Sequence, residues 1–500
     1  MNYKMIFHSL GKVSAVLAAL LVFPMGLSLI LGESDWWAFA ITIGFALIVG
    51  ALLIFLCKPD SGVIFAKEGL ILVSFCWLYA SLVGALPFII GGTIPNFFDA
   101  FFETASGFST TGATVLTPSR IEELYATAKG ALLWRSLTHW VGGMGIIVFV
   151  LALTSGATER SMHVLRAEMP GPTVDKIVPK TKDTAKILYF IYIGMTLLQV
   201  ILLIIGGMPL FDSITITFGT AGTGGLAVRG DSVASYNVFC QWVIAVFMIL
   251  FAVNFNVYFL LIMRKFKAAL SSQELWIYLI VVFLSSAIIG VDLYGKFAYT
   301  QTVGSSVLMG VFQTASFIST TGYSNIPAAY SLNSWSALSR FVLFLLMFMG
   351  GCAGSTAGGL KVSRVAIIFC SIRRDLRKML HPRNANVVRF EGKTLSDETM
   401  RGATGYFGLY MVIMGVVTLL LCFDGCNAVG SVDGISQLEA NLSLTVSCLN
   451  NIGPAYGMPV SGCGAYSSFS KLVLSFAMLL GRLELYPLIL ALAPSTWIKK

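Results

Sequence analysis

The chain has 500 residues, of which 56% are hydrophobic and only 11% are charged, and its mean hydropathy is +0.82. So few charges would leave large apolar patches on a water-soluble surface, which excludes an ordinary soluble domain. The formal net charge of +9 comes from basic loops between apolar segments, a pattern that orients membrane proteins and needs no nucleic acid partner.

The apolar runs predict an all-α polytopic membrane protein, because they are continuous and long enough to span rather than alternating as in a barrel. Two runs come first, near residues 13–31 and 36–57. Four longer units follow, each with a full span, a short apolar piece, a polar Gly-rich loop and a second full span. The paired full spans lie near 68–91 and 127–153, 184–207 and 236–263, 273–292 and 335–369, and 401–424 and 467–492.

Each unit contains an apolar piece that is too short to cross a membrane. A hydrocarbon core of about 30 Å needs about 20 helical residues, so we expect these pieces to enter the membrane and return as re-entrant helices. The four pieces lie near 97–108, 211–221, 306–317 and 437–448. The chain then divides into two N-terminal transmembrane helices and four pseudo-repeated units, which cover residues 1–66, 67–183, 184–270, 271–398 and 399–500.

Basic residues are unevenly shared between the loops, which predicts the orientation of the chain. The long loop 423–470 has no Lys or Arg and is expected outside. With a cytoplasmic N-terminus, the inside loops hold most of the basic residues, and the densest run includes Arg373, Arg374, Arg377, Lys378 and Arg383. This asymmetry follows the positive-inside rule and places both termini in the cytoplasm. The basic loops either contact anionic membrane lipid or form a docking surface for a cytoplasmic partner.

The polar loops of the four units are divergent copies of one another. Two are nearly identical: FETASGFSTTGA at 102–113 and FQTASFISTTGY at 312–323. Their counterparts are TFGTAGTGGLAV at 217–228 and VSCLNNIGPAYG at 446–457. In each loop one glycine follows the short apolar piece, and we align these glycines as Gly112, Gly224, Gly322 and Gly453.

Repeated Gly-rich loops inside a membrane indicate a pathway for an ion. Irregular backbone at that depth is tolerated only where it is buried in protein or lines a water-filled path. Four loops around one axis would form rings of carbonyl oxygens, which can replace the hydration shell of a monovalent cation. The C-terminal end of each short helix adds partial negative charge towards the axis. We therefore expect one pore for a cation; the alternative is a set of ordinary helix–helix turns, rich in small residues because they pack tightly.

Four units of this kind, with the loops ASGFSTTGATV and CLNNIGPAYG, resemble the superfamily of K⁺ transporters that includes the Trk, Ktr and HKT proteins. The two extra N-terminal spans make the chain similar to the TrkH family in particular. In that family each loop supplies one filter glycine, and the carbonyls just before it bind K⁺. The resemblance implies potassium uptake through a channel-like pore, with K⁺ as the transported ion, no organic cofactor and no enzymatic activity. The implied K⁺-binding residues are Thr110, Thr111 and Gly112; Gly222, Thr223 and Gly224; Thr320, Thr321 and Gly322; and Asn451, Ile452 and Gly453.

The second span of the third unit contains GGCAGSTAGG at residues 350–359. Each glycine there costs about 1 kcal/mol of helix propensity, so this stretch predicts a broken helix near mid-membrane. The alternative is a continuous helix that packs closely through its small residues. In the TrkH family the matching segment lies under the filter and acts as the gate, which implies a gating role for Gly350, Gly351, Gly354, Ser355, Thr356, Gly358 and Gly359.

Arg482 and Glu484 lie deep in the last span. A charge at the bilayer centre costs about 2.5–3.5 kcal/mol on the lenient scale, so it indicates a function. Two residues apart on a helix, these side chains do not face each other. The resemblance places Arg482 beside the gating segment as a positive barrier; the structural alternative is pairing with a carboxylate or with freed carbonyls of the broken helix. His139, the only histidine within a span, is interpreted as a packed, hydrogen-bonded residue.

The resemblance also implies partners and a location. Proteins of the TrkH family are homodimers in the cell (inner) membrane, and they sit on a cytoplasmic ring of nucleotide-binding regulatory subunits called TrkA. The basic segments 361–401 and 154–186 are candidate docking surfaces. A secondary transporter for an organic solute is the alternative function, since such proteins also use broken helices. Cys426 and Cys463 can face each other in the last outside loop, where a disulfide is an open alternative.

Overall fold

The computed structural model describes residues 3–58, 66–145, 181–381, 387–425, 434–457 and 462–497. Nearly all of their regular structure is helical. In chain order the helices are α1 (Tyr3–Leu31), α2 (Trp36–Leu56), α3 (Ala66–Ile90), α4 (Phe97–Phe108), α5 (Pro118–Thr127), α6 (Lys129–Met144), α7 (Thr181–Ile205), α8 (Leu210–Gly222), α9 (Val238–Phe251), α10 (Phe255–Ile262), α11 (Phe266–Leu270), α12 (Gln273–Leu293), α13 (Val303–Ile318), α14 (Ala337–Met349), α15 (Val362–Leu380), α16 (Asp397–Asp424), α17 (Gln437–Leu449), α18 (Ser468–Arg482), α19 (Tyr486–Leu492) and α20 (Pro494–Trp497). Short 3₁₀ turns cover Ala298–Thr300, Leu332–Ser334 and Gly462–Ala465.

Six of the described helices are long and apolar enough to cross a membrane: α1, α2, α3, α7, α12 and α16. A seventh span is counted if α9 and α10, which meet at a bend of 93°, are taken together. The outer faces of these helices carry exposed apolar side chains, including Ile30, Phe190, Phe283 and Phe423. Such faces suit a hydrocarbon solvent. The prediction of an all-helical, multi-span membrane protein is confirmed.

The second spans of the second, third and fourth units are interrupted within the described residues. The helices α6, α9, α14 and α18 end at Met144, Phe251, Met349 and Arg482. Residues 146–153 of the first of these predicted spans lie outside the described residues. Backbone groups freed inside a membrane must find partners in the protein. The helix ends therefore mark where this molecule builds non-helical contacts.

Four short helices, α4, α8, α13 and α17, correspond to the predicted apolar pieces. They have 12, 13, 16 and 13 residues, which is too few to cross. Three begin at a polar N-cap whose side chain accepts a backbone N–H: Asn96, Thr302 and Ser436. Such caps satisfy amide groups that the first helical turn leaves free. The short helices therefore start at fixed positions beside the full spans and point their C-terminal ends inwards.

A small antiparallel hairpin modifies the all-α expectation. β1 (Arg389–Phe390) pairs with β2 (Lys393–Thr394) between α15 and α16. The two turn residues, Glu391 and Gly392, both have positive φ, of 51° and 71°. This is the turn geometry that matches the twist of a tight hairpin. The hairpin packs through buried Phe390 against the helices on either side.

Candidate functional site

The loops that follow the four short helices share one backbone conformation. Just past each helix end, a residue adopts the left-handed conformation that side chains other than glycine rarely use. Its φ is 58° at Thr110, 56° at Thr223, 58° at Thr320 and 57° at Asn451. Two residues later comes a glycine with positive φ: Gly112 (81°), Gly225 (71°), Gly322 (85°) and Gly453 (101°). This repeated pattern defines a common register for the four loops.

The register corrects the sequence alignment of the second loop by one residue. The alignment pairs Gly224 with Gly112, but the second-loop glycine with positive φ is Gly225. The reason is that the second loop has two adjacent glycines, Gly224 and Gly225, and that α8 runs through Gly222. The left-handed residue therefore falls on Thr223. The second triplet is 223–225, and Gly222 belongs to the helix end.

The four loops contact one another in cyclic order. A Cβ atom added to the glycine of one loop would lie against the carbonyl oxygen just before the glycine of the next loop. These distances are 1.9 Å from Gly112 to Gly224, 2.0 Å from Gly225 to Thr321, 2.0 Å from Gly322 to Ile452 and 2.7 Å from Gly453 to Thr111. Only glycine permits such a close backbone approach. Because the fourth loop returns to the first, residues 110–112, 223–225, 320–322 and 451–453 form a closed ring, the loop ring.

A cavity of about 1240 Å³ lies on one side of the loop ring. Its lining includes the glycines of the ring and the residues that follow each loop. The charged lining residues have both signs and are Glu122, Arg135, Asp212, Arg229 and Asp231. In the orientation predicted from the basic loops, this cavity faces outwards. It connects the surface of the molecule with the carbonyl-rich loops.

A buried carboxylate holds the start of α8 at the cavity wall. Asp212 accepts hydrogen bonds from the hydroxyls of Tyr125 (2.9 Å) and Tyr236 (2.8 Å). The Arg229 Nε atom lies 3.7 Å from the same carboxylate. Burial, followed by the Asp212 charge, raises the pKa of Tyr236 above its ordinary value, so this hydroxyl stays a neutral donor. The Asp212 charge is thus stabilised within the wall.

A buried ion pair, which sequence reasoning missed, ties the first loop to the second. Arg135 on α6 lies 2.8 Å from Glu103 on α4, and neither side chain is more than 2% exposed. Glu103 also accepts the Thr114 hydroxyl (2.9 Å), and Arg135 donates to the Ala227 carbonyl (3.1 Å). Removing one member of such a pair leaves a buried charge and costs about 3–5 kcal/mol. The available signal was the presence of two charges inside apolar segments.

His139 performs a similar bracing role. Its Nε2 accepts the Leu226 N–H (3.2 Å), so the ring proton sits on Nδ1, which donates to the Gly107 carbonyl (2.7 Å). The imidazole is fully buried. The prediction of a packed, hydrogen-bonded histidine is confirmed, and its two bonds connect α4 with the second loop.

The predicted break in the third unit is present. α14 ends at Met349, α15 begins at Val362, and residues 350–361 between them form the crossing segment. Their backbone includes positive φ at Gly350, Gly354, Gly359 and Lys361. The alternative of a continuous, closely packed helix is therefore wrong. The irregular conformation follows from the glycines, since they adopt such φ values without steric cost.

The crossing segment lies against the loop ring on the side opposite the cavity. The Gly358 N–H donates to the Thr320 hydroxyl (2.6 Å), and the Gly359 N–H donates to the Asn450 carbonyl (3.1 Å). Thr356 and Ala357 have no exposed surface. The segment thus covers the inner side of the ring, which is the side opposite the cavity.

Arg482 connects the crossing segment to the end of α6. Its guanidinium donates to the Thr356 carbonyl (2.9 Å) and to the carbonyls of Gly142 (2.6 Å) and Gly143 (2.5 Å). Carbonyl partners of this kind are those of the structural alternative, in which Arg482 pairs with freed carbonyls of a broken helix. Glu484 accepts a hydrogen bond from the Arg364 guanidinium at 2.8 Å. The helix α18 ends at Arg482 and α19 begins at Tyr486, so Glu484 lies in the break between them.

Parts of two sequence-based predictions lie outside the described residues. In the basic segment 154–186, residues 154–180 lie outside the described residues, and the side chains of 181–185 are likewise not described. Cys426, one half of the possible disulfide, also lies outside. The second basic segment is largely described: α15 carries Arg373, Arg374 and Arg377, and Arg374 pairs with Asp397.

Comparison with known proteins identifies relatives along the whole chain. The family model described as TrkH, a cation transport protein, matches residues 37–499. The Trk system potassium uptake protein TrkH of Salmonella typhimurium is 30% identical over 502 residues, which cover 99% of this chain and 100% of that protein. The Trk system potassium uptake protein TrkG of Escherichia coli is 28% identical over 508 residues, covering 99% of each. The crystal structure of the potassium transporter TrkH from Vibrio parahaemolyticus matches with a TM-score of 0.86 at 26% identity, covering 100% of both chains.

Proposed function

This chain belongs to the TrkH family of cation transport proteins, and from that premise we propose that it takes up potassium across the cell membrane through the loop ring. The family consists of transporters, so the prediction that the chain is not an enzyme is confirmed. Relatives and a solved structure whose names state potassium transport support K⁺ as the cargo. In this proposal the four pseudo-repeated units of the chain surround one pore, and two transmembrane helices precede them.

The observation that carries the proposal is the cyclic contact between each ring glycine and the next loop's carbonyl. Backbone oxygens held around one axis replace the water shell of a dehydrated monovalent cation. The left-handed residue before each glycine supports this role, because it ends the helix and frees carbonyls from helical bonding. In the corrected register the proposed K⁺ ligands are the carbonyls of Thr110, Thr111, Gly112, Thr223, Gly224, Gly225, Thr320, Thr321, Gly322, Asn451, Ile452 and Gly453.

The crossing segment is the proposed gate. It covers the inner side of the loop ring, and Arg482 holds it in that position. Its seven implied gating residues, from Gly350 to Gly359, include the two N–H donors that contact the ring. A positive charge beside a cation path raises the barrier to conduction. Movement of the segment, together with Arg482, would open the path.

The family premise also supports proposals on assembly and location. We propose a homodimer in the cell (inner) membrane, with cytoplasmic N- and C-termini and a cytoplasmic, nucleotide-binding TrkA-like regulatory subunit. The basic end of α15 is a proposed docking surface, since three arginines there lie on the cytoplasmic side in the predicted orientation. Anionic lipid competes for the same charges.

The test is ion uptake into liposomes that contain the purified chain. Uptake of K⁺, Rb⁺, Na⁺ and Li⁺ is compared for the wild type, Gly112→Ser and Gly322→Ser. Gly408→Ser on α16 is the matched control, because nothing lies within 4 Å of a Cβ added there. We expect K⁺ and Rb⁺ uptake, loss of that preference in the two ring variants, and wild-type behaviour of the control.

The alternative of an organic-solute transporter makes a different prediction in the same liposomes. If no cation enters, even after deletion within 350–359, the pore proposal fails and a solute screen takes its place. The present support for that alternative is limited to the broken helices, which midplane solute sites also use.

A further inference from the structure

One buried carboxylate contacts both ends of the crossing segment. Glu274, near the start of α12, is 5% exposed. Its Oε1 atom accepts the Ala353 N–H at 2.8 Å and the Ser363 N–H at 3.0 Å. Ala353 lies near the start of the segment, and Ser363 lies just beyond its end. A single oxygen of α12 therefore closes the segment into a loop.

The chemistry of these contacts makes them strong. Ser363 is in the first turn of α15, where the amide groups have no helical partners and the helix dipole favours a negative charge. The Ala353 amide lies in a non-helical stretch within the protein interior. Charge-assisted bonds to such amides are about twice as strong as neutral ones. If the carboxylate is removed, both buried amides lose this acceptor.

A second carboxylate connects Glu274 with the small hairpin. The Oε1 atom of Glu391, in the turn between β1 and β2, accepts the Glu274 backbone N–H at 2.7 Å and the Ser272 hydroxyl at 3.0 Å. In return, the Glu391 N–H donates to the Gln273 side chain at 3.1 Å. Glu391 is exposed, in the predicted cytoplasmic segment before α16. The contacts thus run from the surface hairpin through the start of α12 to the crossing segment.

We propose that Glu274 is the positioning residue that holds the crossing segment beneath the loop ring, and that the Glu391 turn links this residue to the cytoplasmic surface. The inference rests on the proposed role of the crossing segment as the gate. A cytoplasmic protein that moves the hairpin withdraws Glu391 from the start of α12. Glu274 then shifts relative to Ala353 and Ser363, and the segment is released.

The first test measures movement of the segment without measuring ion flux. Cys352 lies within the segment and is 1% exposed, so it serves as a native reporter. In a background whose other cysteines are replaced by serine, its modification by a charged methanethiosulfonate reagent is followed by mass spectrometry. We expect Glu274→Ala to raise the modification rate about tenfold, because about 1.4 kcal/mol of bonding to buried amides is lost. Glu274→Gln keeps a neutral acceptor and gives a smaller rise.

Asp292→Ala is the matched control. Asp292 lies at the opposite end of the same helix, where its carboxylate accepts from the hydroxyls of Ser336 and Ser339. This variant also removes from α12 a carboxylate that accepts hydrogen bonds from another element, but it does not touch the segment. If Glu274→Ala is not recovered as monodisperse protein, Glu274→Asp is used in its place. Its side chain is one methylene shorter, so its carboxylate lies farther from the Ala353 and Ser363 amides. Equal Cys352 rates in the Glu274 and Asp292 variants would overturn the positioning role.

The second test measures uptake of K⁺ into liposomes that contain the chain alone. Faster Cys352 modification together with faster uptake supports both the positioning role and the gate. Faster modification without a change in uptake supports the positioning role and refutes the gate assignment. For the hairpin link, we expect Glu391→Ala to raise the Cys352 modification rate about threefold. The rise is smaller than for Glu274→Ala because Glu391 acts on the segment only through Glu274. A wild-type rate in that variant would overturn the link and leave the role of Glu274 intact.

Discussion

The loop ring and the crossing segment are both glycine-rich, non-helical and buried, yet they are held in different ways. In the ring, the glycine of each loop lies against the backbone of the next loop. The crossing segment is held by single hydrogen bonds to other elements. Side chains supply some of them (Arg482, Glu274 and Thr320), and backbone groups at Ala252 and Asn450 supply others. Backbone-to-backbone contact in a closed ring leaves little room for an alternative arrangement, because each loop constrains its neighbour. Single hydrogen bonds can break and form again one at a time, so the second region is the one suited to switching.

The largest expected effect comes from inserting a methyl group into the ring. In Gly225→Ala the added Cβ would lie 2.0 Å from the Thr321 carbonyl oxygen. We expect the preference for K⁺ over Na⁺ in liposome uptake to fall about a hundredfold, since displacing a carbonyl from a cation costs about 1.5–3 kcal/mol. Gly207→Ala is the control: its φ of 82° imposes similar strain, but nothing lies within 4 Å of its added Cβ. Equal loss of preference in both variants would show that strain, and not the ring contact, is responsible.

Removing Arg482 tests the crossing segment in the same assay. Arg482→Ala frees the carbonyls of Thr356, Gly142 and Gly143. We expect uptake without any regulatory subunit to rise about thirtyfold, as hydrogen bonds from a charged group contribute about 1.5–3 kcal/mol. The preference among cations should be retained, in contrast to the ring variant. Arg482→Lys keeps the positive charge but lacks the planar guanidinium, so it should give an intermediate rise in uptake. Uptake below the wild-type rate in Arg482→Ala would contradict the assignment of the crossing segment as the gate.

One side-chain hydrogen bond between the two regions allows a smaller, sharper comparison. Thr320→Val removes the acceptor of the Gly358 N–H. We expect regulator-independent uptake to rise about fivefold, the value of one neutral hydrogen bond of about 1 kcal/mol. Thr110→Val changes the equivalent residue of the first loop, whose hydroxyl has no hydrogen-bond partner among the described residues. An equal rise in the two variants would mean that the effect comes from the ring itself.

The smallest effect is expected at the cytoplasmic end of α15. Charge reversal of Arg373, Arg374 and Arg377 to Glu should weaken binding of a TrkA-like regulatory subunit about threefold. The effect should be larger at low salt, because salt screens exposed charges. Binding is measured by pull-down at two salt concentrations. Reversal of Lys265 and Lys267, which lie at α11, provides the control. Unchanged capture of the regulator by the α15 variant would remove this surface from the proposal.

Much of the fold follows from local properties of the chain. The short helices lie close to their predicted positions, because hydropathy and segment length decide whether a helix can cross a membrane. The break after Met349 follows from the glycine content of residues 350–359. The first and third loops align correctly because both contain S-T-T-G. The second loop was misaligned because it contains two adjacent glycines, Gly224 and Gly225, and no local pattern specifies which of them takes the ring position.

The sequence alone determined that this protein has many spans, four related polar loops and one interrupted helix, since each property depends on neighbouring residues. The tertiary structure decided which carbonyl each glycine contacts, that Glu103 pairs with Arg135, and that Arg482 binds the backbone at Thr356 and Gly142. These partners are up to 342 residues apart along the chain, as for Gly453 and Thr111. Contacts over such separations are set by how the helices pack around the loops, and no local pattern in the sequence specifies them.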